Sequence, residues 1–183
     1  MTLRVPGGRA VWWIATVLLV SACGASPHGE VRWPHGAGDW SGVGTDDVAP
    51  GDPVTLGGLV LCVDGAQTGE VLAVRAPEGS AVDVTAFTTR PQDRYEMYGG
   101  DRIALEDTGI PTGVGAVSTP CGAELGTELI VEVRSDGAAV ARAGMLLVDY
   151  RVGSARGTTE VGFGVALCAP GVTPCVAEPP DAG

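Results

Sequence analysis

The chain has two histidines, His28 and His35, and both precede every run of residues that could build a core. A serine triad needs an imidazole within hydrogen-bond reach of its nucleophile, so that chemistry is excluded, and a thiol enzyme fails for want of the same base. No lysine occurs, and neither GxGxxG nor the lysine-bearing phosphate loop is present, so nucleotide chemistry has no support. Carboxylates are abundant. Asp93 with Glu96, or Glu106 with Asp107, could flank a glycosidic bond if a fold set them at the right separation; the plainer reading of each is a solvated surface acid. His28, His35, Asp39, Asp46, Asp47 and Asp52 cluster in sequence and would suit copper or zinc. Their segment is glycine-rich, however, and ordering it would cost about 1–2 kcal/mol per residue. We assign no catalytic residue, no metal ligand and no cofactor.

Binding leaves a different trace. Tyr95 and Tyr98 stand beside Gly99 and Gly100 and among Arg94, Asp101 and Arg102, and aromatics mixed with arginine are what contact surfaces concentrate. Tyr95, Tyr98, Arg94 and Arg102 are therefore the candidate binding residues; the competing reading is that one tyrosine covers a sheet edge and the other is simply exposed. Trp33 and Trp40 lie in the glycine-rich segment, where docking onto the folded domain is the expected role.

The charge narrows the partners. Against 22 acids stand 11 bases, all arginine, for a formal charge of -11. Such a field repels phosphate backbones, so no nucleic-acid partner is expected. The first nine residues carry Arg4 and Arg9 and no acid, and the apolar run from Ala10 to Val20 that follows is too short to span a bilayer. This is the pattern of a secretory signal. Val20-Ser21-Ala22-Cys23 resembles the lipobox of bacterial lipoproteins, with valine where leucine is commoner. The resemblance covers about the first 23 residues. It implies cleavage before Cys23, lipidation of Cys23 and a membrane partner through that anchor. In style the chain resembles lipoproteins of high-GC Gram-positive bacteria, a likeness that supplies no activity.

Cys62, Cys121, Cys168 and Cys175 remain, an even number suited to two disulfides in an oxidising compartment. Cys168 and Cys175 enclose a short proline-bearing loop and are the cheapest pair to close, which leaves Cys62 with Cys121. A Cys62–Cys168 bridge is the alternative, since both end apolar strand-like runs.

The elements that must position these residues read as strands. From Gly24 to Pro53 the chain is rich in Gly, Pro and Asp without periodicity, and residues 23–53 read as a lipidated N-terminus and flexible tether after a signal peptide over 1–22. ELIVEVRS places Leu129, Val131 and Val133 on one face and Glu132 and Arg134 on the other, a half-buried strand. Asp136-Gly137 follows as a hairpin turn. GMLLVDYRV and TEVGFGVALC complete an expected three-strand meander. LGGLVLCV, GEVLAVRA and AVDVTAFTTR add three strands, with Asp64-Gly65 turning between the first two, whereas Pro91 to Cys121 is irregular. Short strands with turn chemistry between them predict an all-β, antiparallel, immunoglobulin-like β-sandwich over residues 54–176, or else a small β-barrel, with a disordered tail over 177–183. The function expected is a lipid-anchored extracytoplasmic binding or accessory domain without catalysis, its ligand another envelope protein, a polymer or a small molecule. The alternatives are an envelope hydrolase using loop carboxylates and metal capture by the tether.

Overall fold

The computed structural model describes residues 29–34, 39–65, 68–92 and 97–179. These hold twelve strands: β1 (Glu30–Arg32), β2 (Ser41–Thr45), β3 (Val54–Asp64), β4 (Gly69–Arg75), β5 (Val82–Pro91), β6 (Gly100–Asp101), β7 (Ala116–Val117), β8 (Thr127–Ser135), β9 (Val140–Ala143), β10 (Leu146–Val152), β11 (Ala155–Val161) and β12 (Phe163–Cys168). A single 3-10 turn spans Leu105–Thr108. The chain is all-β, as the turn-punctuated runs predict.

Three sheets share the work: β1-β3-β8-β5 with β6 added to β3, then β11-β10-β4-β7, then β2-β12-β9. All pairings between strands are antiparallel except that of β12 with β2. Leu56, Leu59 and Leu61 from β3, Leu129, Val131 and Val133 from β8, Leu146 and Val148 from β10, and Val165 and Leu167 from β12 fill the core between them. In β8, β10 and β12 they come from alternate positions, which is how a period of two delivers one apolar face to the interior; in β3 a bulge between Leu56 and Leu59 shifts the alternation by one residue.

The connectivity departs from the expected meander. β8 pairs with β3 and β5, and β9 pairs with β12, so Asp136-Gly137 joins two sheets instead of closing a hairpin. Asp64-Gly65 likewise links β3 to a strand that pairs with β10 and β7. A turn sequence permits the chain to reverse; which edge the next strand then reaches is decided by where its apolar face can be buried.

The expected tether is also corrected over residues 29–34 and 39–53. β1 pairs with the end of β3 and β2 runs beside β12. Gly29, Gly42 and Gly44 are packing positions. Side-chain carbons placed on Gly42 and Gly164 would lie 2.6 and 2.5 Å from the ring of Trp40, so the indole lies across two strands that have no side chains in its way. Its Nε1 donates to the carbonyl of Gly144 at 3.0 Å. Val31 and Val48 are buried with the core. The tail is corrected too: Ala177 is buried against the Gly42 position and Glu178 pairs with Arg142 at 3.6 Å, while 180–183 fall outside the described residues.

Cys62 is bonded to Cys121 and Cys168 to Cys175. This is the preferred of the expected pairings. Two closed disulfides belong to an oxidising compartment outside the cytoplasm. Among the described residues no helix is long and apolar enough to cross a membrane.

Candidate binding surface

β8 is not half-buried. All its residues but Arg134 are buried, including Glu128 at 0% and Glu132 at 5% exposure. The core takes the Leu129, Val131 and Val133 face. The opposite face, carrying Glu128, Ile130 and Glu132, is covered by the irregular segment that follows β5.

Buried carboxylates must have their lone pairs filled, and these two are filled by residues of the sheet together with one backbone N–H each from that segment. Glu128 Oε1 accepts the backbone N–H of Tyr98 at 2.7 Å and that of Gly58 at 3.1 Å, and Oε2 accepts Arg90 Nε at 2.7 Å. The Gly58 donor is free for this because β3 slips one residue against β8 between Leu56 and Leu59, a bulge with Gly58 at φ +80°. Beside it, Gly57 admits the backbone of Tyr98: a side-chain carbon there would sit 2.6 Å from both Cβ and O of that residue.

Glu132 holds the next stretch. Its Oε2 accepts the N–H of Leu105 at 2.9 Å; its Oε1 accepts Thr85 Oγ1 at 2.6 Å and Arg134 Nε and Nη2 at 3.0 and 2.9 Å. Burial works against its charge, but the bonds from Thr85, Leu105 and Arg134 outweigh burial and hold the carboxyl below the ordinary glutamate range. Further along, Thr88 Oγ1 donates to the Pro111 carbonyl at 2.6 Å and Thr89 N to that of Val114 at 2.8 Å. The excursion from 97 to 117 is thus fixed to the sheet at its start, middle and end.

Of the four candidate binding residues, Arg94 and Tyr95 lie outside the described residues, as do Asp93, Glu96, Cys23, His28 and His35. Tyr98 is half-buried, and its hydroxyl donates to Asp101 Oδ2 at 3.1 Å. Burial, that bond and the Asp101 charge push the phenol up to about 12. Arg102 is exposed and reaches the Asp47 carbonyl at 3.1 Å. Tyr98 therefore serves the anchoring of the segment, which presents outward three apolar side chains, Met97, Ile103 and Val114 at 44, 38 and 40% exposure, among the charged Asp101, Arg102, Glu106 and Asp107. Glu106 and Asp107 point into solvent. Among the described residues no three His, Cys, Asp or Glu side chains gather as a ligand set.

Glu128 and Glu132 were within reach of the sequence. Two acids four apart inside an apolar strand share one face; their types alone do not say whether that face meets water or protein.

A second surface is the outer face of β4, β10 and β11, where Leu72, Ala73, Asp149, Tyr150, Arg156, Gly157 and Thr158 line an open depression of about 480 Å³. Asp149 is committed to Thr158 at 2.6 Å and Arg75 at 3.3 Å, bonds that lower its pKa against the opposing effect of burial.

No family model, characterised protein or solved structure matches this chain.

Proposed function

We propose that the chain is a lipid-anchored, extracytoplasmic domain that acts by binding an envelope protein or polymer, without catalysis, and that the clamped excursion 97–117 is the surface it presents. One observation carries this reading. Two buried glutamates, besides bracing their own sheet through Gly58, Arg90, Thr85 and Arg134, each accept a backbone N–H, from Tyr98 and Leu105, of an irregular, outward-facing segment with exposed apolar side chains. A preordered loop gives up less entropy when it binds, so affinity gains from such anchoring.

The position of the segment supports it. With lipid on Cys23, only residues 24–29 would separate the membrane from β1, a reach of roughly 20 Å when extended. β1 pairs with the Cys62–Asp64 end of β3, whereas β6 pairs at Thr55 and Leu56, some seven residues or about 23 Å along the same strand. The start of the excursion, with Met97 and Ile103, would then lie away from the lipid surface, while its end at β7 returns to Gly69 beside Val31 of β1.

The test is capture from native membranes by the full-length lipoprotein, comparing wild type with Met97→Glu/Ile103→Glu. Loss of a specific partner at unchanged melting temperature supports the proposal, and equal capture overturns it. Intact mass of the membrane-extracted chain checks the anchor: residues 1–22 should be absent and lipid present, and a Cys23→Ala chain that stayed equally membrane-bound would refute it.

A further inference from the structure

We infer that β11 is a self-pairing edge, through which two copies of this chain join their β11-β10-β4-β7 sheets into one continuous sheet. β11 ends its sheet, and among the described residues β10 is its one partner. The open stretch stops at Gly162, whose carbonyl accepts the N–H of Ser41.

The register decides which backbone groups face outward. β10 and β11 are joined by Gly153 and Ser154 alone, with Val152 opposite Ala155 and Gly153 at φ +59°. A two-residue loop closes on a hydrogen-bonded pair, and bonded and non-bonded pairs alternate from there. Ala155, Gly157, Thr159 and Val161 consequently turn their N–H and C=O groups to β10. Arg156, Thr158 and Glu160 turn theirs to the free edge, and their side chains are the exposed ones on the outer face.

That edge is complementary to itself. An antiparallel copy centred on Thr158 sets Thr158 against Thr158 of the second copy, Arg156 against its Glu160, and Glu160 against its Arg156. Each of the three pairs is then a hydrogen-bonded one, giving roughly six backbone bonds. The two charge pairs fall directly opposite one another, where unlike charges stabilise and like charges destabilise. Among the described residues neither Arg156 nor Glu160 has an ion-pair partner in its own chain. Edges that must stay single are commonly blunted by proline, bulges or charged side chains; the β11 sequence ARGTTEV has no proline, and its two charges are of opposite sign, so in this register they attract. The interface is isologous and closes at two copies.

The experiment is sedimentation of the full-length, detergent-solubilised chain across the micromolar range, with charge swaps. Arg156→Glu alone and Glu160→Arg alone should each weaken the dimer about tenfold or more, by setting like charges opposite each other twice over. The double variant R156E/E160R should regain wild-type association, which general damage to the fold cannot explain. Thr158→Cys should cross-link to its own copy under oxidation, since opposed residues of a bonded antiparallel pair sit about 5.5 Å apart at Cα, inside disulfide range. A monomer at all concentrations, single swaps without effect, or a foreign protein cross-linked at position 158 in place of a second copy would each overturn the inference.

Discussion

Glu128 holds the backbone N–H of Tyr98 at 2.7 Å from near the start of a strand thirty residues further along the chain, and the carboxylate doing so is fully buried. The bond ties an excursion with little regular structure to the most enclosed strand of the molecule. Its second oxygen is met by Arg90, which remains partly exposed. The loop is therefore ordered by a charge whose desolvation is offset by an arginine and two peptide donors.

Glu128→Ala should destabilise the domain by about 3 kcal/mol or more, because it strands two peptide donors and an arginine at a buried position. Glu128→Gln, which can still accept from the peptides, should lose less. Denaturant unfolding gives the magnitudes. Amide exchange at Tyr98 and Gly58 should quicken in the alanine variant well before global unfolding; unchanged protection there would deny the clamp.

Acid should loosen the middle of the same segment. The Glu132 pKa is depressed in the folded chain, so its contribution is complete above the unfolded value of about 4.3 and is lost as pH falls through the lower, folded value. Melting temperature should hold steady from neutrality to about pH 5 and fall below pH 4, and Glu132→Gln should flatten that decline. A variant that kept the full wild-type acid dependence would contradict the assignment.

At the other end of the scale, Tyr98 should ionise late. With its phenol pushed up to about 12, the stabilisation it carries is present below the unfolded value of about 10 and disappears as pH rises through the folded value. Tyrosinate absorbance of the native chain should show a late component that is reduced in Tyr98→Phe, the remainder coming from Tyr150, whose phenol burial also raises. Asp101→Asn should move the Tyr98 part earlier by removing the charge that holds the proton in place.

Trp40→Ala should cost about 3–5 kcal/mol, the usual penalty for emptying a large aromatic site, although the residue belongs to a segment whose composition suggests a linker. The indole covers Gly42 and Gly164 and binds the Gly144 carbonyl. Gly164→Val should be comparably damaging, since its side chain would occupy the ring's place. Thermal unfolding of both variants near wild type would show that residues 39–45 are dispensable to the domain.

Breaking the two disulfides should have unequal effects. Cys62–Cys121 closes a sequence separation of 59 and Cys168–Cys175 one of 7, so loop entropy alone gives about 4 against about 2.5 kcal/mol. Paired Cys→Ala substitutions compared by denaturant midpoint test the order, and non-reducing peptide mapping tests the pairing itself.

The sequence by itself determined the all-β class, the positions of most strands and the preferred cysteine pairing. Alternation with period two, glycine and proline at turns, and the low entropy of closing a short loop are all local properties. What surrounded those strands was decided by contacts between residues far apart in the chain. Leu129, Val131 and Val133 announced an inward face, but nothing local to β8 could reveal that Glu128 and Glu132 would meet Tyr98 and Leu105 in place of water. The glycines at 42 and 44 looked like a linker for the same reason: a missing side chain leaves room both for motion and for a neighbour, and only the tertiary structure brought Trp40, Cys175 and Ala177 to fill it. Strand pairing was hidden too, because a period of two specifies which face is buried and leaves open which edge is joined.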